Sequence, residues 1–199
     1  MSAASPAPTL NIANALTVLR LLLVPVFAVL LLHEGGASDA ARYAAFVVFL
    51  AAALTDRVDG QIARSRGLVT SFGKLADPIA DKALTGAALV GLSLVGELPW
   101  VVTGVVLARE LGVTLLRFVV IRHGVMAASR GGKWKTVLQG VAIGVYLLPL
   151  QDVLAELRVA TMALAVAVTL VTGLDYVARA VVLRRTSERT AARTAAATR

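Results

Sequence analysis

Apolar residues in this chain come in blocks long enough to cross a lipid bilayer. That constrains the fold more than anything else in the sequence. A membrane-spanning helix needs about 20 mostly apolar residues. Hydrophobic residues make up 58% of the chain, and its mean hydropathy is +0.80, well above ordinary globular usage. The blocks predict an all-α, polytopic membrane protein with six transmembrane helices, at about 16–32, 40–65, 73–95, 100–121, 136–150 and 154–183. A short segment, 10–15, is expected to lie along the interface before the first helix, and 122–135 reads as a basic loop before the fifth. Residues 1–185 read as a single domain. Residues 186–199 read as a basic tail, disordered at its end.

Charge sets the expected orientation. The turns at 33–39, 96–99 and 150–157 hold no Lys or Arg. The opposite ends carry Arg64, Arg66, Lys74, Arg122, Arg130, Lys133, Lys135, Arg184 and Arg185. Cytoplasmic loops carry the Lys and Arg excess, so both termini are expected on the cytoplasmic side of an inner or plasma membrane. The net charge of +8 then suits anionic lipid rather than nucleic acid. The chain has no Cys, which excludes disulfides and thiolate chemistry. His33 and His123 are too few and too far apart for a histidine metal site. The N-terminus lacks the basic start of a cleaved signal, and its first apolar segment runs too long for one.

Four aspartates interrupt this apolar background between Thr55 and Lys82. A charge inside a membrane helix costs roughly 2.5–3.5 kcal/mol on insertion scales, so four of them need a compensating partner. Asp56, Asp59, Gly60 and Ala63 fall at i, i+3, i+4 and i+7, one stripe of a helix. Gly73, Asp77 and Asp81 fall at i, i+4 and i+8 on the next. If the stripes face each other, four carboxylates share one pocket and repel strongly. Two magnesium-type ions would offset that repulsion, and paired ions clamp the attacking and leaving oxygens of a phosphoryl transfer. The small residues on both stripes leave room for a bulky nucleotide. Arg64, one step off its stripe, is placed to reach a phosphate.

The pattern Asp, two residues, Asp-Gly, two residues, Ala-Arg, eight residues, Gly, three residues, Asp, three residues, Asp is met at Asp56, Asp59, Gly60, Ala63, Arg64, Gly73, Asp77 and Asp81. This resembles the signature of the CDP-alcohol phosphotransferase family. Asn14 to Thr17 with Arg20 and Pro25 look like that family's first helix. Ala108 to Glu110, Leu116-Arg117 and Gly132 to Thr136 with Gln139 resemble its phosphatidylglycerophosphate synthase branch. Ala76 stands where that branch often has Leu.

The resemblance implies six membrane helices around a cytoplasm-facing polar cavity, in a homodimer. It implies that Asp56, Asp59 and Asp77 bind one metal, that Asp56, Asp77 and Asp81 bind the other, and that Asp81 is also the general base. The metals would be Mg2+, with Mn2+ equally suited to oxygen ligands. Gly60, Arg64 and Thr70, joined by Asn14 and Thr17, would contact the cytidine diphosphate moiety. The implied reaction moves a phosphatidyl group from CDP-diacylglycerol to sn-glycerol 3-phosphate and releases CMP.

A phosphorylated acceptor needs cations of its own. Arg109, Arg117, Lys133 and Lys135 are the candidates. Arg109 and Arg117 share a face of an otherwise apolar helix, where charges usually line a polar cavity. Other readings stand beside these. Arg109, Glu110 and Arg117 would serve equally as an internal salt-bridge network, Lys133 and Lys135 as an ordinary basic loop, and Asn14 and Thr17 as capping or packing residues. Asp175 and Arg179, four apart, read as an internal pair. A different acceptor would make the enzyme a cardiolipin synthase acting on phosphatidylglycerol, or an inositol phosphate or serine transferase. A cation or proton transporter is the reading from another class, disfavoured because the carboxylates cluster at one end of the helices.

Overall fold

The computed structural model describes residues 11–65, 70–120, 130–150 and 153–197. They form six α-helices: α1 (Ile12–Leu32), α2 (Asp39–Ser65), α3 (Ser71–Leu94), α4 (Trp100–Val120), α5 (Arg130–Leu147) and α6 (Val153–Ala197). A short 3₁₀ turn, His33–Gly36, joins the first two. The all-α architecture and the six helices match the sequence expectation.

Several helix ends differ from it. The predicted interfacial segment before the first span is part of α1. Asn11 caps that helix by accepting from the Asn14 backbone N–H at 3.0 Å. The predicted basic loop before the fifth span is partly helical. Lys133 and Lys135 stand in the first turns of α5. α6 extends to Ala197, through residues that composition reads as a tail. Ala and Arg are strong helix formers, so a helix can continue after its apolar run ends.

By length and composition, two segments among the described residues can cross a membrane: Asn14–Gly36 and Ala155–Arg184. Only 22% of each apolar window is buried within the protein. An apolar core helix of a soluble protein would be mostly enclosed. The other helices carry more charge along their length. α4, for example, includes Arg109, Glu110 and Arg117.

The chain divides into two compact units. One comprises Met1–Trp100 with Ile143–Glu156, the other Val101–Ala142 with Leu157–Arg199.

In the first unit α1 packs against both α2 and α3. Phe27 of α1 and Phe49 of α2 are buried with ring centroids 5.9 Å apart, within the range of favourable aromatic pairs. Ala45, Phe49 and Ala52 bury one face of α2 at i, i+4 and i+7. Ala76, Ala80, Leu84 and Ala88 do the same for α3 at four-residue steps. At Gly91 a Cβ would stand 2.6 Å from Leu31 Cδ2, so the bare backbone is what lets α1 approach α3 there.

The far end of this unit is held by a charge. Gly96 adopts φ +78, a left-handed conformation that glycine tolerates, and ends α3. The turn closes as Glu97 N–H donates to Leu92 O at 2.9 Å. Arg42, in the first turn of α2 and 6% exposed, pairs with Glu97 there. Its Nη2 donates to Tyr146 O at 2.8 Å and its Nε to Leu147 O at 3.3 Å, at the C-terminal end of α5.

In the second unit, Met162, Ala165, Thr169, Gly173, Tyr176 and Ala180 form the buried stripe of α6. Thr103 and Val106 are buried on α4. The i,i+4 pair Asp175–Arg179 forms on the exposed side of α6, with Nε 2.9 Å from Oδ2.

Candidate active site

The aspartates are positioned by two helices of the first unit. Asp56 and Asp59 lie on α2, and Asp77 and Asp81 on α3. α2 ends at Ser65, six residues after Asp59; α3 begins at Ser71, six residues before Asp77. At 1.5 Å per residue, Asp59 lies about 9 Å from the C-terminal end of α2 and Asp77 about 9 Å from the N-terminal end of α3, and the two helices are in contact. Asp81 lies one further turn in, and its side chain is exposed.

The side chains of Asp56, Asp59, Arg64, Asp77, Arg117 and Lys133 lie outside the described residues, although each sits on a described helix. Among the described residues no three acids or histidines gather to hold a metal. The donor set of the motif is entirely carboxylate oxygen, which fits Mg2+ or Mn2+ and suits softer metals poorly.

Two predicted nucleotide contacts meet at the start of α3. Thr70 accepts from the Gly73 backbone N–H at 3.0 Å, capping the helix that carries Asp77 and Asp81. The same hydroxyl donates to Asn14 Oδ1 at 2.9 Å. Asn14, Thr17 and Thr70 are all buried, at 6%, 1% and 7% exposure. This hydroxyl therefore fixes α1 against α3 and sets the axial level of the aspartates relative to α1. Gly60 lies on α2 beside Asp59.

The predicted acceptor cations belong to the second unit. Arg109 and Lys135, far apart in sequence, meet on one carboxylate. Arg109 Nη1 is 2.9 Å from Glu110 Oε1, and Lys135 Nζ pairs with the same oxygen. Arg109 is further held by α6. Its Nε donates to Thr169 O at 3.2 Å and its Nη2 to Thr172 Oγ1 at 3.0 Å. Gly173 completes that seat. A Cβ there would lie 3.1 Å from Arg109 Cγ and 3.3 Å from its Nε, so only glycine leaves the guanidinium its present path. The three charged side chains are enclosed but not sealed, at 14%, 19% and 6% exposure for Arg109, Glu110 and Lys135.

Sequence reasoning missed the seat on α6. Nothing in the sequence singled out Thr169, Thr172 and Gly173, whose only signal is their spacing at three and four residues. It also missed Arg42 and Glu97, a lone cation at a helix start and a lone acid in a tight turn.

A family model for CDP-alcohol phosphatidyltransferase matches residues 10–171. This chain belongs to the CDP-alcohol phosphatidyltransferase family. It is a transferase of phospholipid synthesis. A family member from Mycobacterium tuberculosis, named "Probable phosphatidylglycerophosphate synthase", is 55% identical over 170 residues, covering 85% of this chain and 81% of the relative. A Bacillus subtilis member, named CDP-diacylglycerol–glycerol-3-phosphate 3-phosphatidyltransferase, is 40% identical over 180 residues, covering 83% of this chain and 93% of the relative. A Rickettsia typhi member of the same name is 36% identical over 177 residues, covering 83% and 94%.

Proposed function

We propose that this enzyme transfers the phosphatidyl group of CDP-diacylglycerol to sn-glycerol 3-phosphate, giving phosphatidylglycerol phosphate and CMP. The observation that carries the acceptor assignment is the meeting of Arg109 and Lys135 on Glu110. Two cations gathered in an enclosed place suit an acceptor that brings its own phosphate. The names of relatives matching more than four-fifths of the chain support the same acceptor.

In this reading Asp56, Asp59, Asp77 and Asp81 hold two divalent cations, Mg2+ or Mn2+. Bound there, these supply positive charge against the diphosphate and the departing CMP. Asn14, Thr17, Gly60, Arg64 and Thr70 orient the cytidine diphosphate moiety. Arg109, Arg117, Lys133 and Lys135 bind the acceptor phosphate. Asp81, exposed on α3, takes the proton of the acceptor hydroxyl. The resulting oxygen bonds to the lipid-bearing phosphorus, the bond from that phosphorus to the CMP oxygen breaks, and CMP leaves with the electron pair. We further infer that all six helices span the inner or plasma membrane around a polar cavity. The termini and the site then lie on the cytoplasmic side, and the protein works as a homodimer.

An acceptor screen on purified protein in detergent tests the reading. CDP-diacylglycerol and magnesium are supplied with glycerol 3-phosphate, phosphatidylglycerol, inositol phosphate or serine in turn, and CMP release is measured. Release with glycerol 3-phosphate alone, abolished by EDTA, is the expected result. Release only with another acceptor would move the assignment to a different branch of the family.

A further inference from the structure

Gln139 brings an amide into the protein interior and leaves its oxygen unanswered. The residue is 4% exposed, and Oε1 is closed to solvent with no hydrogen-bond partner among the described residues. Buried polar side-chain atoms are nearly always hydrogen-bonded, because an amide taken out of water without a partner is costly. Gln139 lies four residues after Lys135 on α5, so the two share a face one turn apart, about 6 Å along the axis. Both are buried, as is Ala142, whereas Trp134, Val137 and Val141 are exposed on the opposite side. The amide therefore stands on the same inward face as the lysine that meets Arg109 across Glu110. Thr169, whose main-chain oxygen accepts from Arg109 Nε, also keeps a buried hydroxyl oxygen with no hydrogen-bond partner among the described residues. Each of the two cations thus adjoins an unanswered polar group. An alcohol that bears a phosphate offers both an anion and hydroxyls to such a place.

We propose that Gln139 recognises the acceptor: with the phosphate of glycerol 3-phosphate at Lys135, the middle hydroxyl donates to Gln139 Oε1. The inference rests on the reading of glycerol 3-phosphate as the acceptor and of Lys135 as a ligand of its phosphate. In that acceptor the phosphate and the reacting hydroxyl occupy the two terminal carbons. The middle hydroxyl takes no part in the chemistry and is free to be read. A lysine and a glutamine one turn apart can grip two groups of one small molecule. Gln139 is then a specificity residue. A phosphomonoester without the middle hydroxyl leaves the amide as unanswered as it is in the free protein, whereas glycerol 3-phosphate satisfies it. An amide kept only for packing would distinguish no acceptor from another.

The test compares glycerol 3-phosphate with 3-hydroxypropyl phosphate, which keeps the phosphate and the reacting primary hydroxyl and lacks only the middle hydroxyl. Full-length wild type, Gln139→Met and Gln139→Asn are assayed in detergent with CDP-diacylglycerol and magnesium. Wild type should prefer glycerol 3-phosphate by about ten- to hundredfold in kcat/KM. Gln139→Met keeps the length of the side chain and removes the amide. It should lower kcat/KM for glycerol 3-phosphate by a similar factor and leave that for 3-hydroxypropyl phosphate, and KM for CDP-diacylglycerol, unchanged. Its thermal midpoint without acceptor should equal or exceed that of wild type, since Oε1 has no bond to lose. Gln139→Asn, with its shorter arm, should show the same selective loss, and it decides the question if the methionine variant does not fold. Equal losses on both acceptors, or no loss on either, would overturn the proposal. So would a wild type that treats the two acceptors alike. If wild type releases no CMP with either, the reaction assignment fails, and thermal protection then judges Gln139 by itself. Stronger protection by glycerol 3-phosphate than by 3-hydroxypropyl phosphate, lost in Gln139→Met, would uphold the hydroxyl contact. Equal protection by the two, or none, would refute it.

Discussion

Replacing Arg42 with Met should destabilise the protein by about 3 kcal/mol without touching the chemistry. The guanidinium makes three contacts: to Glu97, to Tyr146 O at 2.8 Å and to Leu147 O at 3.3 Å. The Arg42 side chain is 8% exposed and that of Glu97 25%. Breaking a buried pair by removing one partner costs about 3–5 kcal/mol, because the other charge is left enclosed. Glu97 keeps some access to solvent, which favours the lower end of that range. The two carbonyls end α5, where main-chain acceptors have no helical partner, and each adds about 1 kcal/mol or less. The double variant Arg42→Met with Glu97→Leu should recover roughly half of the loss, since an apolar pair can replace a buried ion pair at little cost. The carbonyls stay unanswered and account for the remainder. Unfolding would be followed by helix content during SDS titration of protein in mild detergent micelles. A single variant within ~1 kcal/mol of wild type would refute the reasoning, and so would a double variant no more stable than the single one.

Three further perturbations probe the site. Asp81→Asn should reduce CMP release to background while helix content and thermal midpoint stay near wild type; measurable turnover with full metal would remove Asp81 as the base. Thr70→Val should cost about 2 kcal/mol in the same SDS titration, roughly half from the lost cap on Gly73 and half from the lost bond to Asn14. Gly173→Ala should press a methyl group onto Arg109 and raise KM for the acceptor by about three- to tenfold. Equal rises in the acceptor and CDP-diacylglycerol KM values would show general disruption rather than a displaced guanidinium.

The helices and the aspartate motif were legible because each obeys a one-dimensional rule. Apolar length reports a span, and ligands on a helix must recur at three or four residues. Helix ends were less legible, since hydropathy reports where lipid begins and hydrogen bonding decides where a helix begins. Asn11 starts α1 ahead of its apolar run. α5 starts at Arg130 although its first turns hold three basic residues, and Lys135 finds a carboxylate there rather than water. The seat of Arg109 was illegible for a different reason. A threonine carbonyl, a hydroxyl and a missing methyl group, all on a helix sixty residues away, leave no mark that distinguishes them from packing.

The two ion clusters show why charge alone misleads in such a sequence. Arg42 and Arg109 look alike in one dimension, each a cation flanked by apolar residues of its helix. In the fold each is largely enclosed, meets a carboxylate and donates to main-chain oxygen. What separates them is the second cation: Lys135 joins Arg109 on Glu110, and two cations gathered on one carboxylate suit a phosphate-bearing ligand. Lys135→Met should therefore weaken phosphate binding more than it weakens the fold, whereas Arg42→Met costs fold and leaves phosphate binding alone. Measuring both responses in both variants gives a crossed result. If Lys135→Met and Arg42→Met alter stability and phosphate affinity in the same proportion, the second cation does not distinguish brace from site in this fold.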